Sequence, residues 1–517
     1  MTAWCLALGC LVVSCANDDP RVVSSQHSGS GGALPGTDPT AGAPTTTSPS
    51  GSTSTSSVRP AGTAGTIEWQ PVSKGLERGT LAVPRDYRDP SGGTFVLSLE
   101  RHLARRPDQR IGSLLVNRGG PGFGSADLAE QAEQIYGAGI LDRFDIVGWD
   151  PRGTGQSEPH IDCTDDYDHF FASGDITPDT DAERQQLVDT AKEFADLCVS
   201  RDAAFYQYVG TNDSARDMDA IRRALGEGTI SYFGFSYGSE LGATWATLFP
   251  TTVRAAVLDG AADPNAGQLE GDLQQARGFE STLTTFLAQC SADERCAFSN
   301  GGDSEGAFVS LMASLDEHPI PTAAGRPDLT RGMALTAVAD AMYSQGSWAQ
   351  LEQALADARR GDGGGLLQLY DDYYQRRPDG TYDDSLEAFQ VISCMDDPTR
   401  LTVAEEDALV PRFQAAAPRF AAGTTGDYFC TFFPPSKDPR VRITGTGAGP
   451  IVVIGTTGDP ATPIESSRNM AKALEGGRFI EVVADQHTGY NVNRCVDDAV
   501  DSYLTDLKIP ADNLRCG

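Results

Sequence analysis

The chain has 517 residues, with 22% charged and 39% apolar side chains, a balance that suits a water-soluble globular protein. At ~150 residues per domain it has room for two or three cores. Its net charge of −32 excludes partners that need basic patches, such as nucleic acid or an anionic membrane face. The charge lies in the later part, since residues 1–65 hold three Asp and two Arg, a net −1.

Residues 1–23 read as an export signal. Ala3 to Val13 is apolar but too short to span a bilayer. It runs into Val12-Val13-Ser14-Cys15, which resembles a bacterial lipobox with Cys15 as the residue to be lipidated. A plain secretory signal is the alternative, and both take the protein out of the cytoplasm. Apart from Cys5, Cys10 and Cys15, eight cysteines remain: Cys163, Cys198, Cys290, Cys296, Cys394, Cys430, Cys495 and Cys516. An even number in an exported chain points to disulfides, and sequential pairing is the simplest of ~105 connectivities. They form no paired CxxC motifs, so no metal site is expected.

Residues 24–65 are Ser, Thr, Gly, Pro and Ala with almost no large apolar side chain, and read as a flexible tether. Folded sequence begins near Ile67, with early strands at 81–84 and 94–99. A strand–loop–helix pattern follows. Ser113–Val116 ends in Asn117-Arg118-Gly119-Gly120-Pro121-Gly122, and Phe144–Trp149 ends in Asp150-Pro151-Arg152-Gly153-Thr154-Gly155. Ala215, Met218, Ile221 and Leu225 recur at helical spacing, with cap candidates at Thr211 to Ser214 and a stop at Gly226.

Ile230–Phe233 then leads into Gly234-Phe235-Ser236-Tyr237-Gly238, and a helix is expected from Ser239. Glycine two places before and after a serine, at a strand-to-helix junction, is the nucleophile-elbow pattern. Alone it is weak in a chain with 56 glycines. A strand at 255–258 follows, ending in Asp259-Gly260.

Residues 265–447 read as a mainly helical lid, in which Asp371-Asp372-Tyr373-Tyr374 looks like a solvated helix face. Strands return at 450–454, before Gly458-Asp459-Pro460, and at 478–483, before Asp485-Gln486-His487. Residues 66–264 and 448–517 are then two parts of one α/β core with a mostly parallel sheet, whose ligand sits at the carboxyl ends of the strands.

Ser236, Asp459 and His487 occur in the chain order of α/β-hydrolase triads, each just after a strand. Ser236 would attack a carbonyl, His487 would carry its proton, and Asp459 would orient the imidazole. Each residue alone is explained by a turn or a surface loop; the three together in this order are not. The oxyanion would be met by the backbone N–H groups of Tyr237 and Gly120. A phosphate loop is disfavoured at Gly119–Gly122, because Pro121 lacks an N–H and no GK[ST] follows.

These motifs, with Ser157 closing DPRGxGxS, Leu241-Gly242 after the elbow, and Thr462-Pro463 after the acid, resemble the prolyl/tripeptidyl aminopeptidase branch of the α/β-hydrolases. The likeness is nearest to secreted actinobacterial tripeptidyl aminopeptidases and runs from about Ile67 to Gly517, including Cys495…Tyr503-Leu504…Pro510…Cys516. The chain departs from that pattern at Gln486, where glycine is usual, and at Phe433-Pro434, where Trp-Pro is usual.

The resemblance implies an α/β-hydrolase fold with a helical lid; no cofactor is expected, and the chain is read as a monomer. It implies an exopeptidase that takes short peptides from a free N-terminus. Lid or loop carboxylates would hold the substrate ammonium, with Asp259 and Asp396 as candidates. A carboxylesterase or lipase on the same triad, and a non-catalytic binding lipoprotein, are the alternatives. Any membrane association would come only through a lipid on Cys15.

Overall fold

The structure is a computed structural model that describes residues 65–172, 176–421 and 428–517. The expected export signal, Cys15 and the expected tether up to Ala64 lie outside the described residues. Among the described residues, no helix is long and apolar enough to cross a membrane.

Ten strands form one sheet: β1 (Gln70–Ser73), β2 (Leu76–Asp86), β3 (Asp89–His102), β4 (Gly112–Asn117), β5 (Phe144–Trp149), β6 (Ile230–Phe235), β7 (Val253–Asp259), β8 (Val452–Thr456), β9 (Arg478–Val482) and β10 (Leu514–Cys516). Their order is β1-β2-β3-β5-β4-β6-β7-β8-β9-β10. The first three strands are antiparallel, as is β3 on β5, and from β5 onward every neighbour is parallel.

Every residue of β4, β5, β6 and β8 is buried, as their continuous apolar runs require of strands covered on both faces. Side chains alternate between two cores. Leu115, Tyr232 and Val453 enter one with Met218, Ile221 and Trp245, whereas Leu114, Val116, Phe233, Phe235 and Ile454 enter the other with Ile140, Val496 and Leu504. The helices Thr211–Ala224 and Tyr237–Leu248 thus cover one face, and Arg494–Asp506 covers the other.

Between the end of β7 and the start of β8 the described residues add no strand to the sheet. They form helices, among them Gln268–Ala292, Ser304–Glu317, Arg331–Met342, Gly364–Tyr373 and Ser385–Asp396. This insertion reaches the loops at the carboxyl ends of the strands. A Cβ on Gly278 would lie 2.3 Å from Pro460 O, and the Tyr343 carbonyl accepts the His487 N–H at 3.0 Å.

One expectation needs correction. The Asp371–Tyr374 cluster is not a solvated face: Tyr373 and Tyr374 are buried, and Asp371 pairs with Arg326 at 2.6 Å. Within the stretch 66–264, the helix Asp181–Arg201 reaches the insertion, its Phe194 packing on Phe429 at 4.9 Å and on Phe433.

The four disulfides are 163–198, 290–296, 394–430 and 495–516, the sequential pairing.

Candidate active site

The DPRGxGxS motif is a framework rather than a set of reacting groups. Asp150 accepts the N–H groups of Ser125, Ala126 and Gln156 at 2.8–2.9 Å, which ties the Gly119–Gly122 loop to the end of β5. Arg152 is fully buried and forks onto Asp217, with further bonds to the carbonyls of Pro84, Arg85 and Tyr208.

At the end of β6, Ser236 has φ +54 and ψ −125 and caps the helix Tyr237–Leu248. A non-glycine residue in such a conformation costs ~1–3 kcal/mol, which the surrounding structure must sustain. The flanking glycines allow it. A Cβ on Gly234 would sit 2.3 Å from Gly238 O, and one on Gly238 would sit 2.8 Å from Asn117 O. The Ser236 N–H donates to Asp259 O at 2.8 Å. The side chain is thus held out at the strand end between the Gly119 loop and the Asp259-Gly260 turn.

The imidazole and the acid meet. His487 Nδ1 lies 2.8 Å from Asp459 Oδ1, and both side chains are almost wholly buried. Asp459 is itself fixed by Ala461 N–H at 2.9 Å, Thr462 N–H at 2.8 Å and the Thr462 hydroxyl, which donates to Oδ2 at 2.9 Å. Burial alone would lower the His487 pKa, but the Asp459 charge and hydrogen bond outweigh it and raise the pKa above the free-imidazole value. Its Nε2 is buried and has no hydrogen-bond partner among the described residues. A ring nitrogen left open in this way can accept a proton. The Tyr343 ring packs edge-on to the imidazole with centroids 5.4 Å apart.

The glycine loop lies against the elbow. A Cβ on Gly119 would be 2.9 Å from Ser236 Cβ and 3.0 Å from Tyr237 N. Gly119 gives its own N–H to Asn117 Oδ1 at 3.0 Å, while no hydrogen bond engages the Gly120 N–H among the described residues. Tyr237 opens its helix, so its N–H has no intrahelical acceptor.

The two ammonium candidates do not sit as a substrate clamp would. Asp259 is fully buried, and its oxygens accept the Gly489 and Tyr490 N–H groups, each at 2.8 Å. Burial lifts its pKa to about 6 despite those bonds. It anchors the loop just after His487. Asp396 has both oxygens engaged by Thr211, through N–H at 2.7 Å and Oγ1 at 2.5 Å.

Lying elsewhere is a cavity of about 350 Å³, lined by Gln268, Glu270, Asp397, Leu401 and Arg412 among others, and by none of Ser236, Asp459 or His487. Cys290, Cys296 and Glu352 lie close together, but the two sulfurs are joined in a disulfide and cannot act as thiolate ligands.

Sequence reading assigns no role to Thr462 or Tyr343. For Thr462 the signal is its place three residues after Asp459, from which a hydroxyl folds back on the carboxylate. Tyr343 acts through a carbonyl and a ring edge brought in by the insertion, and no spacing announces that.

The sequence model of the alpha/beta hydrolase fold family matches residues 112–493. The chain belongs to the α/β-hydrolase fold family. Serine protease Hip1 of Mycobacterium tuberculosis (strain CDC 1551 / Oshkosh) is 34% identical over 482 residues, covering 87% of this chain and 91% of its own length. Carboxylesterase B of Mycobacterium tuberculosis (strain ATCC 25618 / H37Rv) is 35% identical over 451 residues, covering 84% and 85%. Tripeptidyl aminopeptidase of Streptomyces lividans is 27% identical over 472 residues, covering 87% and 86%. This α/β-hydrolase is a serine hydrolase, related to enzymes named as aminopeptidase, protease and esterase.

Proposed function

We propose that the protein is an exported serine aminopeptidase that releases short peptides from free N-termini. Ser236 attacks the scissile carbonyl, and His487 Nε2 takes its proton and returns it to the leaving amine. Asp459 orients the imidazole and stabilises the imidazolium. The Gly120 and Tyr237 N–H groups receive the oxyanion. The observation that carries this reading is the His487–Asp459 pair at 2.8 Å with an open Nε2, taken together with a serine held at φ +54 at the end of β6. The peptide preference is supported by the motif set shared with tripeptidyl aminopeptidases across most of the chain. Substrate is a peptide with a free amine and not nucleic acid, and the enzyme works as a monomer.

Export is supported by the apolar leader and by four disulfides, which persist in oxidising compartments. In this reading Cys15 carries the lipid and residues 24–65 form the tether. Mass spectrometry of the mature N-terminus tests that directly, since an unmodified terminus without Cys15 would exclude the anchor.

A carboxylesterase is the second reading, favoured by the 35% identical relative of that name. A panel of tripeptide anilides and short-chain esters, with free and blocked amines, separates the two. Cleavage of free-amine anilides and refusal of their acylated forms supports the aminopeptidase; indifference to the block refutes it.

A further inference from the structure

The helix Ser385–Asp396 of the insertion touches the candidate oxyanion site from both sides. At its start it meets the glycine loop. Gly122 has φ +92, and a Cβ there would lie 2.3 Å from Ser385 O and 2.5 Å from Phe389 N, so loop and helix pack backbone to backbone. At its end, Asp396 meets the first residue of the helix Thr211–Ala224. That helix has Gly210 at its N-cap and no side-chain cap of its own. Asp396 supplies the missing acceptor from outside, taking the Thr211 N–H at 2.7 Å, where a carboxylate is favoured by the helix dipole. A Cβ at Gly210 would come within 3.1 Å of Asp396 Oδ1, so glycine leaves room for this approach.

The Thr211 hydroxyl continues the path. Thr211 is fully buried, and its Oγ1 bonds both Asp396 Oδ2, at 2.5 Å, and the Tyr237 phenol. A hydroxyl has one proton. With its proton donated in the hydrogen bond to Asp396, Thr211 must accept from Tyr237, so the order is Tyr237 O–H to Thr211 O–H to Asp396. Tyr237 is the residue whose backbone N–H follows the nucleophile. Arg440 completes the surround: its backbone N–H donates to Asp396 O at 3.0 Å, and its guanidinium pairs with Glu240. The disulfide 394–430 ties down the same end of the helix.

We infer that the helix Ser385–Asp396 is a strut that positions both oxyanion donors, with Asp396 and Thr211 acting on the Tyr237 N–H through the Tyr237 phenol. This rests on the oxyanion assignment proposed above. Asp396 and Thr211 are positioning residues: they touch neither substrate nor the reacting atoms. The insertion then sets how well the enzyme stabilises its intermediate as well as what reaches it. Full removal of one oxyanion donor costs ~10²–10³ in kcat, so a donor displaced but still present should cost about tenfold.

The experiment compares Thr211→Val, Thr211→Ser and Tyr237→Phe with the wild-type enzyme. It measures kcat and KM on free-amine peptide anilides and on short-chain esters that carry no amine, and the affinity of a peptidyl trifluoromethyl ketone, which presents an oxyanion once Ser236 adds to it. Thr211→Val and Tyr237→Phe should lower kcat about tenfold with KM within about twofold, equally for free-amine anilides and for amine-free esters. The ketone should lose about tenfold in affinity, and Thr211→Ser should restore both. A rise in KM confined to free-amine substrates would show that this network holds the ammonium, and would overturn the strut. Unchanged kcat and ketone affinity with a lower Tm would also overturn it, leaving only a role in folding. The wild-type enzyme and Ser236→Ala test the underlying reading separately. If Ser236→Ala keeps turnover or ketone affinity, the acyl-transfer assignment fails whatever the Thr211 variants do.

Discussion

Replacing Thr462 by valine removes one hydroxyl and little else, and its consequence can be worked out from the geometry. Asp459 Oδ1 receives three groups: His487 Nδ1 at 2.8 Å, Ala461 N–H at 2.9 Å and Thr462 N–H at 2.8 Å. Oδ2 receives one, the Thr462 hydroxyl at 2.9 Å. The Asp459 side chain has 0% exposure, so in Thr462→Val no solvent replaces the lost donor. A hydrogen bond to a charged group contributes about 1.5–3 kcal/mol. That loss falls on the transition state, because a carboxylate free to turn holds the imidazolium less well. At about 1.4 kcal/mol per factor of ten, the expected fall in kcat is about 10- to 100-fold. Thr462→Ser keeps the donor and should remain within about threefold of wild type. The assay is ester hydrolysis, which needs no peptide specificity, with Tm followed in parallel. Wild-type kinetics for Thr462→Val, or equal damage from Thr462→Ser and Thr462→Val, would refute the hydroxyl's role in holding Asp459.

Two further outcomes follow from the same site. His487 must be neutral to take a proton, and Asp459 raises its pKa, so kcat/KM should rise with pH through a midpoint above ~6.5 and fall away in acid. In Asp459→Asn the carboxylate charge is gone, so the residual rate, lower by ~10⁴, should show its acid limb at lower pH; a limb that stays in place would contradict the pairing. Asp259→Asn puts an amide N–H against one of the two backbone donors from Gly489 and Tyr490. It should lower kcat about tenfold for free-amine anilides and amine-free esters alike, and a selective loss on free amines would return Asp259 to the role of ammonium anchor.

Much of the frame was legible because its physics is local. Strands such as Leu114–Val116 and Val452–Ile454 are continuous apolar runs, as strands covered on both faces must be. The elbow could be read from two glycines, and the structure shows why no larger residue fits at Gly234 or Gly238. The order of Ser236, Asp459 and His487 could be read because each follows a strand.

What was not legible depends on contacts distant in the chain. Asp259 stands at a strand end like a functional acid, yet its partners are amides 230 and 231 residues away. Asp396 has its partner Thr211 185 residues away. Tyr373 and Tyr374 follow two aspartates, and their acidic surroundings masked a buried aromatic cluster with Tyr370. The helix Asp181–Arg201 did carry a local signal, the capping box of Thr180 and Glu183, but nothing local says that it packs on the insertion.

The central claim is that Ser236 is the nucleophile, driven by the His487–Asp459 pair. Its most direct measurement is the rate and position of labelling by a fluorophosphonate, read by peptide mass spectrometry on wild type, Ser236→Ala and His487→Ala. The account predicts one adduct, on Ser236, absent in Ser236→Ala and slowed at least ~10²-fold in His487→Ala. Folded wild-type protein that takes no label, or takes it on another serine, would contradict it.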